Sequence, residues 1–329
     1  MQPRIAILGG GAVGLTLAAR LAGAKADVYV ITRRKDAAAG LESGLVAEDA
    51  ATGTTRTHAV RAGLEIPSDR PILLCTRCDS VEAAVDRIAA VAPATPVVTF
   101  QNDVDNEARA ARMLRRVIGG VWRETCTRLE DARVRYQLDR PARAILGVHP
   151  GGEGTARDSD VTEIAALLRS GDIDVGVSED IAADKWLKLC VNLTSAPNAL
   201  VRRDDHRSEA FSEIKIRLLE EARDALRAAG IHATSCDGRD RSINEEISHH
   251  RTAVVRGASS RPIPLFNQVW SSLTHGTPLE ADAYHRRVLA LVQDHGLAAP
   301  VNERVLEALL EAHASGSGPE QLAARDLLP

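Results

Sequence analysis

The fold of the first half is predicted by Arg4-Ile-Ala-Ile-Leu8, followed by Gly9-Gly-Gly11-Ala-Val-Gly14 and Leu15-Thr-Leu-Ala-Ala-Arg-Leu-Ala22. The first run is apolar and strand-sized, the glycines predict a turn, and the last run has helical spacing. A second apolar run, Asp27-Val-Tyr-Val-Ile31, follows directly. Two strands separated by one helix predict a βαβ unit with a right-handed crossover.

The glycines fit the G-x-G-x-x-G pattern in the place where that pattern has a mechanism, between a strand and a helix. Gly9 permits a tight turn, Gly11 lets a pyrophosphate approach the backbone, and Gly14 lets helix and strand pack closely. The amides at the start of the helix then face the phosphates. We therefore expect a dinucleotide to bind at Gly9, Gly11, Ala12, Val13 and Gly14.

The end of the second predicted strand indicates which dinucleotide is bound. An NAD site usually places an acidic residue there to accept a hydrogen bond from the ribose 2′-hydroxyl. This chain has Thr32-Arg33-Arg34-Lys35 instead, without an acid. A hydroxyl and a basic cluster suit a 2′-phosphate and favour NADPH, whereas the alternative interpretation is a solvated basic loop.

Strands and helices continue to alternate along the first half. Strands are predicted at 72–75, 96–100, 117–121 and 172–177, with helices at 80–91 and 160–169. Residues 134–138 and 144–148 flank Asp139-Arg-Pro141 and predict a β-hairpin at an antiparallel edge of the sheet.

After Ser178 the pattern becomes helical. Helices are predicted at 180–191, 208–229, 239–255, 278–295 and 302–313, and the residues from Ser315 onward predict a loose tail. We expect a dinucleotide-binding domain at 1–178 and a helical domain that holds the substrate at 179–329.

Composition excludes several classes of protein. The chain has 329 residues, a formal charge of −4 and only 3% aromatic residues, so neither a basic nor a base-stacking surface for nucleic acid is expected. The five cysteines are scattered, and the start of the chain has no secretory signal, which favours the cytoplasm. No apolar stretch reaches the roughly 18 residues that would predict a membrane span.

Two short motifs could suggest a metal. Cys75-Thr-Arg-Cys78 has no second cysteine pair at zinc-site spacing, and adjacent histidines such as His249 and His250 point in different directions on a helix. We therefore expect no metal site and a structural role for Cys75 and Cys78.

Together with the second half, the chain resembles the ketopantoate reductase (2-dehydropantoate 2-reductase) family. The resemblance lies in the glycine loop and in four further blocks that span nearly the whole chain in the family's order. These are Gln101-Asn102, Lys185-Trp-Leu-Lys-Leu-Cys-Val-Asn192, Gly276-Thr-Pro-Leu-Glu280-Ala-Asp282 and His295-Gly-Leu-Ala-Ala-Pro300.

The resemblance implies a Rossmann-type N-terminal domain and an all-α C-terminal domain like that of 6-phosphogluconate dehydrogenase. It implies that Lys188 is the general acid and that Glu280 engages substrate and lysine. Hydride addition to a 2-oxo acid leaves an alkoxide, which an ammonium donor can stabilise and protonate. The remaining positions that it implies are Asn102, Asn192 and Gln268 for substrate, and Arg33, Arg77, Gln101 and Asn102 for the cofactor.

The chain also departs from the family pattern. Asp103 replaces a glycine, Ala196 an asparagine and Gln268 a serine. Gln268-Val-Trp-Ser-Ser272 stands in place of the family's Ser-Met-x-Gln-Asp run, and His285-Arg286 in place of Asn-Gly. We therefore expect an NADPH-dependent reductase of 2-dehydropantoate, with two alternatives: a related enzyme that reduces another oxo acid or an imine, and a non-enzymatic NADPH-binding regulator. The expected partner is a small oxo acid, and a homodimer is left open.

Overall fold

The computed structural model describes residues 3–255 and 267–329. Contacts within the chain divide it into two compact units, Met1–Asp184 and Lys185–Pro329. The division falls inside a helix, Ile181–Leu193, rather than at Ser178, where the change of sequence pattern suggested a boundary.

The first unit alternates strands and helices. Its strands are β1 (Arg4–Leu8), β2 (Asp27–Ile31), β3 (Leu45–Asp49), β4 (Thr55–His58), β5 (Arg61–Gly63), β6 (Ile72–Leu74), β7 (Val97–Thr99), β8 (Val117–Trp122), β9 (Thr127–Glu130), β10 (Arg133–Tyr136), β11 (Ala142–His149) and β12 (Ile173–Val177). Its helices are α1 (Ala12–Gly23), α2 (Lys35–Ser43), α3 (Val81–Val91), α4 (Asn106–Ala111) and α5 (Ser159–Ser170). Helix α6 (Ile181–Leu193) begins in this unit and ends in the second.

The strands form two sheets. The main sheet has the order β12-β11-β8-β7-β6-β1-β2-β5 and is parallel from β8 to β5, whereas β11 runs antiparallel to β8. The second sheet has the order β4-β3-β10-β9. The carboxyl ends of β1 and β2 lie side by side in register, Leu8 opposite Ile31, which brings the glycine turn next to the end of β2.

The predicted hairpin is wrong. β10 pairs with β3 and β9 in the second sheet, whereas β11 pairs with β8 and β12 in the main sheet. The chain between them passes from the second sheet to the main sheet, and a buried arginine of α1 holds it there: Arg20 donates to the carbonyl oxygens of Gln137 at 3.1 Å and Arg140 at 2.8 Å. This long-range contact leaves no periodic signal in the sequence.

Helix α1 lies between the two sheets. One apolar core joins Ile7 of β1, Leu17 of α1 and Val134 of β10. Helices α3 and α4 contribute Val85 and Ala110 to a separate core on the other side of the main sheet. Apolar residues of the main sheet are therefore covered on both faces, as a parallel sheet requires.

The described part of the second unit is helical apart from one isolated bridge, which confirms the predicted combination of an α/β unit and a helical unit. Its helices after α6 are α7 (Ser195–Leu200), α8 (Glu209–Ala228), α9 (Ile243–Val255), α10 (Gln268–His275), α11 (Ala281–Asp294) and α12 (Pro300–Ser315). None of the helices among the described residues is long and apolar enough to cross a membrane.

The prediction of a loose C-terminal tail is wrong. Leu322 forms a parallel bridge with Val201, and the amide of Ala324 donates to Asp205 at 2.9 Å. Leu327 is fully buried. The Ser-Gly pattern at residues 315–318 predicts disorder only locally, and the apolar residues that follow it bury themselves against the helical unit.

A buried histidine links three helices of the second unit. His285 is fully buried in α11, with its Nδ1 atom 3.0 Å from Oδ1 of Asn302. The amide nitrogen of Asn302 donates to Glu221 at 2.8 Å, so its oxygen is the acceptor and His285 Nδ1 carries the proton. Burial lowers the pKa of His285 to about 4, which keeps the ring neutral at neutral pH.

We predict that His285 makes the protein sensitive to acid. Its pKa is lower folded than unfolded, so the unfolded chain binds the additional proton, and stability falls as the pH drops from about 6.5 towards 4. His285→Asn keeps a donor for Asn302 but cannot titrate. The free energy of unfolding of this variant, minus that of wild type, should rise by about 2 kcal/mol as the pH falls from about 7.5 to 5. Urea unfolding at each pH measures it.

His295→Asn, a change of an exposed histidine just after α11, is the control and should follow the wild-type curve. If the free energy of unfolding changed with pH in the same way for wild type and His285→Asn, the prediction would be contradicted.

Candidate functional site

The glycine turn between β1 and α1 is held by two close backbone contacts. Gly9 has a φ of +122°, and a β-carbon there would lie 2.7 Å from the Cys75 carbonyl. A β-carbon at Gly14 would overlap the carbonyl oxygen of Gly9. Only glycine allows both contacts, so the turn brings the first residues of α1 directly over the end of β1.

The backbone of this turn is open to a ligand. The N-cap of α1 is Gly11, which has no side chain to bond the first helical amides, and the first turn of α1 contains no acidic residue. A β-carbon at Gly10 would meet nothing nearer than the Thr32 methyl, at 4.0 Å. The first amides of a helix have no partner within the helix and attract anions. The turn therefore fits the pyrophosphate of a dinucleotide, with Ala12 and Val13 in the first helical turn.

The two arginines after β2 differ in their contacts: one forms ion pairs within the protein and the other forms none with the described residues. Thr32 is buried and its hydroxyl donates to the Arg34 carbonyl at 2.9 Å, which shapes the loop. Arg34 pairs with Asp36 at 3.1 Å and also with Asp131. Arg33 is exposed and has no hydrogen bond or ion pair with the residues that the structure describes. Its guanidinium is available to an anionic ligand.

The other predicted cofactor contacts follow β6 and β7. Arg77 forms an ion pair with Asp79 at 3.2 Å. Gln101 is buried and donates its amide to the carbonyl oxygens of Leu74 at 3.0 Å and Thr76 at 3.2 Å, whereas Asn102 is half-buried. Gln101 thus fixes the loop after β7 against the end of β6.

Cys75 and Cys78 lie where β6 ends. The backbone of Cys75 is the wall against which Gly9 packs, and burial raises the pKa of the Cys75 thiol. Cys78 accepts a weak contact from the Asn106 amide at 3.8 Å. Within residues 3–255 and 267–329, no group of three or more His, Cys, Asp or Glu side chains could hold a metal ion. No local sequence pattern indicates that the Cys75 backbone shapes the glycine turn.

Helix α6 carries the predicted acid of the second unit. Lys188 and Asn192 are both half-buried and lie one helical turn apart, so they share a face of the helix. Lys185, which the sequence analysis did not single out, is buried on the same helix. Its strongest sequence signal is its position within the Lys185–Asn192 block.

Comparisons with known proteins cover both units. The family model described as "Ketopantoate reductase PanE/ApbA" matches residues 5–151, and its C-terminal counterpart matches residues 180–313. The chain belongs to the ketopantoate reductase family. It is therefore an oxidoreductase that uses a nicotinamide dinucleotide.

Relatives of this chain named 2-dehydropantoate 2-reductase include one that matches over almost its full length and one that matches over part of it. The relative from Caulobacter vibrioides is 27% identical over 317 residues, which is 94% of this chain and 99% of the relative. The relative from Pyrococcus horikoshii is 28% identical over 196 residues, which is 59% of this chain but only 62% of that protein's length.

Solved structures share the fold at low identity. D-mandelate dehydrogenase, in a ternary structure with NADH and anilino(oxo)acetate, has a TM-score of 0.76 at 15% identity and covers 96% of this chain and 99% of its own. A dimeric ketopantoate reductase from Staphylococcus aureus has a TM-score of 0.70 at 14% identity and covers 95% of this chain and 99% of its own.

Glu280 and the positions at which the helical unit departs from the ketopantoate reductase pattern differ in exposure. Gln268 is exposed at the start of α10, and Glu280 is half-buried just before α11. Ala196, Ser272 and His285 are buried. The hydroxyl of Ser272 donates to the Pro278 carbonyl at 3.2 Å, which ties α10 to the segment before Glu280.

We predict that the contact between Gly14 and Gly9 is required for stability. Gly14→Ala places a methyl group on the Gly9 carbonyl and should destabilise the protein by about 1–3 kcal/mol, the usual cost of overpacking. Gly10→Ala is the matched control because its methyl group enters open space, and it should change stability by less than about 0.5 kcal/mol. Thermal unfolding without cofactor measures both, and equal melting temperatures for the two variants would contradict the prediction.

Proposed function

We propose that this protein is an NADPH-dependent reductase of 2-oxo acids, with 2-dehydropantoate as the first candidate substrate. The observation that carries the proposal is that the family match includes both the glycine turn and the Lys188 helix. A protein that only bound the dinucleotide would need the first of these and not the second. The comparisons support reduction of an oxo acid as the family's activity.

The choice of NADPH follows from charge. The pyrophosphate would lie on the amides at the start of α1, and the adenosine ribose would lie at the end of β2. At that end Arg33 is exposed and without a partner among the described residues. A guanidinium can bind a 2′-phosphate with two parallel hydrogen bonds, whereas a ribose hydroxyl gives it no charge to neutralise. Bound NADPH would supply the hydride.

Lys188 is proposed as the general acid. When the substrate carbonyl carbon accepts a hydride, its oxygen gains negative charge. An ammonium group beside that oxygen stabilises the charge and transfers a proton to it, which gives the 2-hydroxy acid. Asn192, one turn along the same face of α6, could donate a hydrogen bond to the substrate carboxylate or hydroxyl.

The remaining predicted site residues are proposed to contact the substrate, Lys188 or the cofactor. Glu280, just before α11, is proposed to engage a substrate hydroxyl and to favour the charged form of Lys188. Asn102 and Gln268 are proposed substrate contacts, and Arg77 and Gln101 are proposed to line the cofactor site. The ion pair of Arg77 with Asp79 limits Arg77 to a secondary role in phosphate binding.

A different oxo acid is the second candidate substrate. The family serine is Gln268 in this chain, and a longer amide side chain there would change the shape and polarity of a substrate pocket. D-mandelate dehydrogenase, which shares the fold, was solved with anilino(oxo)acetate, an aromatic oxo acid derivative. An imine substrate and a non-enzymatic regulator are the remaining alternatives. A cytoplasmic location completes the proposal, and the choice between a monomer and a homodimer is left open.

NADPH oxidation with a panel of substrates tests the function. The panel contains 2-dehydropantoate, aliphatic and aromatic 2-oxo acids, and cyclic imines. Fast turnover of 2-dehydropantoate is the expected result. If another compound were turned over much faster, that compound would be assigned as the substrate instead. Tight NADPH binding without turnover of any compound would favour the regulator and overturn the reductase.

We predict that Arg33 provides selectivity for NADPH. Arg33→Ala removes a charge-assisted hydrogen bond worth roughly 1.5–3 kcal/mol, so the KM for NADPH should rise about 10-fold or more. The KM for NADH should change little because NADH lacks the 2′-phosphate. Steady-state kinetics with the two cofactors measure this difference, and an equal rise for both would show that Arg33 does not bind the phosphate.

We predict that Lys188→Ala lowers the rate of single-turnover NADPH oxidation by roughly 10²–10⁴-fold while NADPH affinity stays nearly unchanged. Lys188→Arg separates charge from proton transfer, because a guanidinium keeps the charge but is not an effective acid. This variant should remain nearly as slow as Lys188→Ala. A Lys188→Ala protein with wild-type rate and unchanged thermal stability would overturn the mechanism.

A further inference from the structure

A second arginine reaches the glycine turn from the other sheet of the first unit. Arg128 lies on β9, and its Nη1 atom is 3.3 Å from the Gly10 carbonyl oxygen. The same nitrogen is 3.4 Å from one carboxylate oxygen of Asp131, and Arg34 donates to the other oxygen. Asp131 thus connects the loop after β2 with a strand that lies far from it in the sequence.

The contacts of Arg128 leave most of its guanidinium unused. They are long and involve one of its three nitrogens, and the side chain is 50% exposed. Arg133 and Arg135, on the neighbouring strand β10, instead bind Glu48 directly, each at 2.6 Å. Among the described residues, Arg128 therefore has donors to spare beside the glycine turn, whereas the other two arginines serve the sheet.

The charge around this place is positive. Arg33, Arg34, Lys35 and Arg128 carry four positive charges, which Asp36 and Asp131 balance only in part. Arg33 and Lys35 have no partner among the residues that the structure describes. Such an excess of exposed cations costs free energy unless an anion binds among them.

We propose that Arg128 is a second arginine of the NADPH 2′-phosphate site, which the second sheet contributes. The inference rests on the proposed use of NADPH. The pyrophosphate is held by amides at the start of α1, whereas the 2′-phosphate belongs beside Arg33, at the end of β2. Arg128 is joined to that end through Asp131 and Arg34, so its free donors serve the 2′-phosphate.

The proposal gives the second sheet a functional role. β9 and β10 connect through Asp131, which pairs with both arginines, and β10 belongs to the core that packs on α1. A phosphate bound by Arg33 and Arg128 would join the loop after β2 to β9. Selectivity for NADPH would then depend on residues about a hundred positions apart in the sequence.

The test compares ligands that differ only in the 2′-phosphate. Fluorescence titration or calorimetry of the intact protein gives the Kd for NADPH, NADH, 2′,5′-ADP and 5′-AMP. Arg128→Gln should raise the Kd for NADPH and for 2′,5′-ADP by about 10-fold, the loss of affinity expected for one charge-assisted hydrogen bond. The Kd for NADH and for 5′-AMP should stay within about twofold of the wild-type value. Arg56→Gln is the matched control, because Arg56 is an exposed arginine of the same sheet, and it should bind all four ligands like wild type.

The outcomes separate this inference from the proposed function. Suppose that wild type binds NADPH more tightly than NADH. If Arg128→Gln then lost the same affinity for all four ligands, or lost none, the role of Arg128 alone would be overturned. Wild-type protein that binds 2′,5′-ADP and 5′-AMP equally would overturn the use of NADPH and Arg128 together. Absence of oxo-acid turnover would overturn the reductase and leave these binding results valid.

Discussion

The close approach of Gly14 to the Gly9 carbonyl is the constraint on which the first unit depends. It is possible only without a side chain at Gly14, and it places the start of α1 directly over the end of β1. The same turn directs the free amides of the helix outward, where an anion can bind. It also sets the direction in which α1 crosses the sheet. One backbone contact therefore determines both the shape of the glycine turn and the position of the helix.

The other end of α1 is fixed by a buried arginine. Arg20 forms an ion pair with Glu124 at 2.7 Å, with both side chains nearly inaccessible, and its guanidinium lies 4.8 Å from the ring centre of Tyr136. Burial raises the pKa of Glu124, although the pairing with Arg20 acts in the opposite direction. With its bonds to the carbonyls of Gln137 and Arg140, Arg20 joins α1 to the chain that connects the two sheets. Removing one partner of such a buried pair is costly because the other charge stays buried.

Most elements could be predicted from local pattern, and the errors share one cause. The strands β1, β2 and β8 are short runs that are mostly apolar and buried, and the helices α5, α8 and α12 have an apolar period that matches their buried faces. The strands of the second sheet were not recognised as a sheet, since β4 is mostly exposed and β9 carries charged residues. Pairing between strands is a long-range property, so the segment at 134–138 looked like one arm of a hairpin. The prediction of a loose C-terminal tail fails for the same reason, because the few apolar residues there are buried against distant partners.

The amino-acid sequence alone was sufficient to predict the glycine turn, the order of an α/β unit and a helical unit, and the family to which the chain belongs. Glycines at fixed spacing and apolar periods carry this information because backbone sterics and burial act over a few residues. Which cationic side chains lack a partner among the described residues depends instead on long-range contacts. Arg33 and Arg34 are adjacent in the chain, yet Arg34 is paired with Asp131 while Arg33 has no partner among the described residues. Likewise, Arg128 reaches the glycine turn only because β9 folds beside α1, and no local pattern encodes a contact across 118 positions.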